Sequence, residues 1–282
     1  MPSRLPWTRL FILFCLVFFS LATAAAPASA SKGVPDGPPI PDGDHEVVPG
    51  RLLSASVLLP DLQTLPPEDI ELEVIEDPAK VRLRFANTIW NSGPGDLELR
   101  GSLIPGFDAV LVVQALKEPG GQSVLQESGI FAYHEEHGHW HWEDFSIYQV
   151  WSVSARGWPL RVVASSDKIG YCLIDVQRFD GSDKADQNAP DFRQFGDCNW
   201  YLQGLSSGWT DTYEAHIAGQ FVDITGLADG TYALISTVDP DDMIIETDNL
   251  NNSTTVYFTL MNGELEVNGT VFIPDESDWP MR

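Results

Sequence analysis

An all-β fold, a β-sandwich with long loops, is what this sequence predicts. Three observations carry that expectation: short runs of apolar and polar alternation, Gly/Asn/Asp turn signals between them, and no stretch with a helical period. Lys80 to Trp90 opens as Lys-Val-Arg-Leu-Arg-Phe, a strand with one polar face, and stops at Asn91-Ser92-Gly93-Pro94-Gly95. Asp96 to Arg100 returns as Asp-Leu-Glu-Leu-Arg. Further strands are expected at Val110 to Leu116, Trp142 to Ser154, Leu160 to Ala164, Tyr171 to Val176, Gln220 to Ile224, Thr231 to Thr237 and Thr255 to Leu260. Arg178 to Ser207 alternates little and reads as a long loop pinned at Cys198; long ordered loops often carry function. Together these strands make one domain of about 200 residues.

The ends read differently. Residues 1–30 hold Arg4 and Arg9, an apolar run from Leu10 to Leu21 and the small-residue site Ala28-Ser29-Ala30, the pattern of a secretory signal peptide. The run is only about a dozen residues long, short for a membrane span, so no stable span is expected after cleavage; an uncleaved anchor is the alternative. Residues 31–55 form a lead-in rich in Pro, Gly and Asp, residues 56–272 the folded domain, and residues 273–282 a tail. Without Arg4 and Arg9 the 16 basic residues fall to 14 against 41 acidic ones, a net charge of −27. That excludes a nucleic-acid footprint and suits a cationic ligand such as an amine, although acidity also serves solubility alone. Outside the leader's Cys15 only Cys172 and Cys198 remain. A bridge between them, favoured in an oxidising compartment, closes a loop of about 26 residues worth about 3 kcal/mol; two free core thiols are the alternative.

Four of the six histidines stand in one run, His134-Glu135-Glu136-His137-Gly138-His139-Trp140-His141. Imidazoles at this density suit copper, zinc, nickel or iron. On extended backbone, side chains two apart share a face, so His137, His139 and His141 would project together with Trp140 on the other side. Three converging imidazoles leave coordination positions open, which favours catalysis over a closed structural site. The competing reading is a hydrophilic loop whose histidines never meet.

With four motifs in order, the chain resembles the catalytic domain of the lysyl oxidase family over roughly residues 58–260. They are His134 through Trp142-Glu143-Asp144-Phe145, Lys168-Ile-Gly-Tyr-Cys-Leu-Ile-Asp175, Gly204-Leu-Ser-Ser-Gly-Trp-Thr-Asp-Thr-Tyr213 continuing through Gln220-Phe-Val-Asp-Ile-Thr225, and Glu246-Thr-Asp-Asn-Leu-Asn-Asn252. The resemblance implies a secreted, extracellular copper amine oxidase that uses dioxygen to convert lysyl side chains of extracellular protein, or small primary amines, to aldehydes, releasing ammonia and hydrogen peroxide. It implies copper on His137, His139 and His141, and a lysine tyrosylquinone cofactor built from Lys168 and Tyr213. Joining Lys168 to an oxidised ring needs its unprotonated form, which desolvation beside a cationic metal would supply. Asp211, two residues before Tyr213 and on the same face of an extended segment, is the candidate general base; His134 is its rival, and also matches the histidine that precedes the triad in the family.

Hard oxygen donors gather at Glu246, Asp248, Asn251 and Asn252, the chemistry calcium prefers. In the resembling family these positions, with an Asp-Leu pair near the domain start, form a structural calcium site; Asp61-Leu62 fits that pair, the leucine through its carbonyl. A solvated turn bonded to its own backbone is the alternative. Asn251, Asn252 and Asn268 each begin a glycosylation sequon. The chain departs from animal members in having few cysteines, with Glu136 and Trp209 where cysteines stand there. It reads as a single-domain prokaryotic relative. Two rival functions are a non-catalytic extracellular metal-binding or adhesion module, and a metal-dependent oxidoreductase lacking an organic cofactor.

Overall fold

The computed structural model describes residues 57–104, 106, 109–118, 121–179 and 189–270, all within the compact unit Gly37–Arg282. The expected leader, the 31–55 lead-in and the 273–282 tail lie outside the described residues. In chain order the strands are β1 (Leu62–Thr64), β2 (Glu68–Glu76), β3 (Ala79–Asn91), β4 (Leu97–Leu103), β5 (Ala109–Lys117), β6 (Ser123–His134), β7 (His139–Val153) and β8 (Pro159–Ser165). They continue with β9 (Ile169–Tyr171), β10 (Gln177–Arg178), β11 (Leu202–Leu205), β12 (Trp209–Tyr213), β13 (Phe221–Asp223), β14 (Gly230–Val238), β15 (Ser253–Met261) and β16 (Glu264–Gly269). No helix occurs among the described residues. The fold is all-β, as the sequence predicts.

Two sheets form the sandwich. The ten-stranded sheet runs β11-β4-β5-β6-β7-β14-β15-β16, with β8 and β9 also paired to β7. The six-stranded sheet runs β1-β3-β12-β10, with β2 and β13 paired to β3. Alternate residues from each sheet meet between them. Leu83 and Phe85 of β3 pack with Tyr148 and Val150 of β7, while Ile89 of β3 and Tyr213 of β12 join Phe131, Trp142 and Phe145 from the larger sheet. Removing this much apolar surface from water is the main term holding the layers together.

The predicted strands fall on β3, β4, β5, β7, β8, β13, β14 and β15. The strand expected at Tyr171 to Val176 is corrected: β9 ends at Tyr171. Beyond it, Cys172 is bridged to Cys198 with Cα atoms 5.2 Å apart. The backbone there is held by other means. Buried Asp175 accepts from the N–H groups of Gln194, Phe195 and Ser206 and from the Ser206 hydroxyl, so one carboxylate ties the long loop to the turn between β11 and β12. Of the expected loop Arg178 to Ser207, Arg178 ends β10 and Leu202–Leu205 form β11 against β4, while residues 180–188 lie outside the described residues.

Candidate metal centre

β6 and β7 form a hairpin in which Phe131 faces Trp142, Ala132 faces His141, Tyr133 faces Trp140 and His134 faces His139. Cross-strand partners share a face, so His134, His139 and His141 stand on one side and the two tryptophans on the other. The expected origin of the triad is corrected at His137. It belongs not to a strand but to the turn Glu135 to Gly138, where the N–H groups of His137 and Gly138 both donate to the His134 carbonyl (3.2 and 2.7 Å). Gly138 takes the left-handed conformation (φ 75°) that closes this turn at least cost. The turn brings His137 over the strand pair, so the three histidines converge all the same.

One ring nitrogen each from His137, His139 and His141 lies within 4.8 Å of the others. His139 Nε2 and His141 Nε2 are 2.9 Å apart. Two imidazole lone pairs cannot face one another at that distance without a proton or a cation between them, so the donor set fits a transition-metal ion. Burial, then the charges of His134, His139 and His137, push His141 down to about 3; burial and His137 also lower His139. Both rings are therefore neutral lone-pair donors at neutral pH. His134 stacks on His141 with centroids 4.2 Å apart, and its Nε2 meets Glu143 Oε1 at 2.6 Å. Glu143 was not anticipated, although its place two residues beyond His141 on the same strand is the signal that finds it.

Tyr213 ends β12 beside this cluster, its ring centroid 6.2 Å from that of His141. Its hydroxyl accepts from the Cys172 N–H (2.7 Å), and its ring stacks on Tyr171 at 3.7 Å. The disulfide thus fixes the residue that holds the tyrosine oxygen. Tyr171 in turn bonds Tyr148 (2.6 Å) and accepts from Asn87 Nδ2 (3.0 Å), a buried polar chain between the sheets. Burial, then the nearby Asp211 charge, raises the Tyr213 hydroxyl well above a phenol's ordinary range. Asp211 is itself buried; burial raises it well above a carboxyl's usual value, although the Ile174 and Thr212 amides oppose this, and its Oδ2 has no hydrogen-bond partner.

Lys168 is engaged by a carboxylate. Its side chain is 34% exposed, and Nζ is ion-paired with Asp241 Oδ2. That hydrogen bond, more than any other influence, raises the lysine above its ordinary value and outweighs the desolvation that opposes it. The physical reason is exposure: a half-open ammonium beside a carboxylate gains more from the pair than it loses to burial.

The oxygen-rich cluster also assembles. Glu246 accepts the Leu62 N–H at 2.6 Å and the Asn252 amide at 2.7 Å, and Asn251 Nδ2 donates to Asp61 Oδ1 at 3.0 Å. Asn251 Oδ1 and Asn252 Oδ1 are buried without partners, the orphan carbonyls that a hard cation would satisfy. Burial, with help from the Asp239 and Asp61 charges, raises Glu246 to about 7. Asp248 is exposed and accepts the Leu250 N–H at 2.9 Å. The sequons at Asn251 and Asn252 begin with side chains already engaged in this cluster.

An all-β sandwich that gathers three imidazoles able to hold a metal beside a buried tyrosine sets the class of site, and comparison with known proteins gives the family. The lysyl oxidase family model matches residues 122–269, and the chain belongs to that family. It is similar to protein-lysine 6-oxidase of Gallus gallus, 32% identical over 142 residues, which are 49% of this chain and 30% of that protein. The Sus scrofa protein-lysine 6-oxidase is 32% identical over the same length, 51% of its own chain. Lysyl oxidase homolog 1 of Homo sapiens is 34% identical over 121 residues, 43% of this chain and 19% of that one. The match therefore spans between about a fifth and a half of these relatives' own lengths. Among the described residues no helix is long and apolar enough to cross a membrane.

Proposed function

We propose that this chain is an exported copper amine oxidase that turns lysyl side chains, or small primary amines, into aldehydes with dioxygen, releasing ammonia and hydrogen peroxide. The observation that carries the reading is the convergence of His137, His139 and His141 beside the buried ring of Tyr213. His137, His139 and His141 would hold copper, and Lys168 with Tyr213 would form the lysine tyrosylquinone. When present, copper supplies dioxygen-linked redox chemistry beside the ring, and the quinone supplies an electrophilic carbonyl and a two-electron sink.

The chain's own residues do the rest. The Cys172 N–H and the stacked Tyr171 fix the ring of Tyr213 and keep water from its inner face. Asp211 serves as the base that takes the substrate's carbon-bound proton; at the unpartnered Oδ2 a proton displaces no existing hydrogen bond. His134, oriented by Glu143 and partly exposed, relays protons between the centre and solvent. Asp61, Glu246, Asp248, Asn251 and Asn252, with the Leu62 carbonyl, would hold a calcium ion that ties the first strand to the turn before β15. Residues 1–30 would direct export.

Air-exposed, copper-loaded protein given a primary amine tests this reading. Amine-dependent peroxide release together with quinone redox staining is the expected result. Stoichiometric copper binding with neither signal refutes it and supports the non-catalytic module, the reading that the Lys168–Asp241 pair would otherwise favour.

A further inference from the structure

We propose that Asp241 is a positioning residue that holds Lys168 as an ammonium in a resting place, so that release from Asp241 gates the use of Lys168 as a nucleophile. This rests on the reading that Lys168 joins Tyr213. The pair is built on anchored backbone at both ends, which sets it apart from an ordinary surface ion pair. On one side, the Asp239 carboxylate is buried and receives the N–H groups of Met243 and Ile244, each at 2.9 Å, while the Asp239 N–H donates to the Phe145 carbonyl at 2.7 Å. The Ser128 hydroxyl donates to the Met243 carbonyl at 3.1 Å, and Gln114 clasps Ile245 through both backbone groups. The turn presenting Asp241 is therefore fixed against β5, β6 and β7.

On the other side, Ser166 exchanges hydrogen bonds with Tyr148, and Ile169 pairs with Ser146 of β7, so Lys168 lies between two tethered neighbours. The charged groups facing its ammonium are Asp241 and, from β7, Asp144, and both favour the protonated form. Tyr213 is committed elsewhere, its hydroxyl on the Cys172 N–H and its ring on Tyr171. In this arrangement the amine is protonated and engaged by a carboxylate, while the Tyr213 ring is engaged by other groups.

Linkage places an Nζ–carbon bond where a ring C–H was and an added oxygen at another ring position. Dioxygen is the oxidant and ends as water and hydrogen peroxide; the ammonium and ring protons pass to these products and to solvent. The ring can be oxidised first, but the Nζ–carbon bond cannot form while Nζ carries its third proton. Breaking the Asp241 contact is thus a precondition for the step.

The test has two arms on the full chain. In the first, metal-free wild type and Asp241→Asn are acetylated with acetic anhydride across roughly pH 7 to 10, and modification of Lys168 is read by peptide mass against Lys80. The variant is expected to modify about two- to fivefold faster at a given pH, with its profile displaced to lower pH, Asp241→Glu restoring the wild-type profile, and Lys80 unchanged. Identical profiles overturn the proposal. In the second arm, aerobic incubation with copper follows the linked Lys168–Tyr213 peptide, expected sooner and at lower pH in Asp241→Asn. Equal linkage rates overturn the gate. Linkage absent from both proteins, with the acetylation difference intact, refutes the quinone reading and leaves the Asp241 restraint standing.

Discussion

Removing one imidazole from the triad leaves the other two unable to close around an ion. His139→Ala is expected to weaken copper binding by at least about 100-fold, beyond the 10- to 100-fold typical of losing an outer hydrogen-bond partner. Competitive metal titration measures it, and the buried core should keep its near-ultraviolet spectrum. Asp211 makes a different claim. Asp211→Asn should lower kcat by about 10²- to 10⁴-fold with little change in KM, while the Lys168–Tyr213 linkage still forms. Steady-state kinetics with peptide mass mapping separates a lost base from a lost cofactor. The histidine run could be read from the sequence by identity and short spacing, whereas Tyr213, and Asp211 beside it, became candidates only through the resemblance of their motif. Asp241 could be found by neither route. It lies 73 positions from Lys168, and the packing of the turn after β14 against β5, β6 and β7 brings the two together.

At the scale of elements, the cluster joining β1 to the turn before β15 gives a pH signature. Glu246 is raised from 4.5 to about 7 in the folded chain without a cation. A carboxyl held above its unfolded value contributes stability that is fully present below about pH 4.5 and is lost as pH rises through about 7. In chelator, Glu246 alone should therefore cost about 3 kcal/mol of folding stability between pH 4.5 and 7.5, the linkage equivalent of that shift. Calcium should cancel the loss, and Glu246→Gln should flatten it; thermal melts at several pH values with and without calcium are the measurement. Several elements were hidden from sequence for identifiable reasons. β6 carries Gln126-Glu127-Ser128-Gly129 in its middle, where a register shift against β5 breaks the alternation. β12 is Trp-Thr-Asp-Thr-Tyr, in which buried Thr210 and Asp211 look like turn residues until the sheet contacts are known. β3 and β14 were visible because their inward faces are uniformly apolar for most of their length.

Across the whole molecule the net charge of −25 sets a field that gathers cations. If the substrate is an ammonium-bearing chain or diamine, KM should rise several-fold between about 0.01 and 0.15 M salt as screening shortens the field's reach, while kcat changes little. Initial rates across ionic strength, with a neutral salt, measure this. The sandwich supplies a rigid frame in which the β6–β7 hairpin holds the imidazoles, β12 holds the tyrosine and the disulfide fastens one to the other. That division of labour explains why the fold class was legible while the state of Lys168 was not: the frame follows from local patterns, the lysine from a distant partner.

The most direct measurement is peptide mass mapping of the full chain after aerobic incubation with copper. The account predicts a crosslinked species joining the Lys168 and Tyr213 peptides, absent without copper and absent from Lys168→Arg. Copper-loaded, folded protein in which both residues are recovered as unmodified lysine and tyrosine would contradict it.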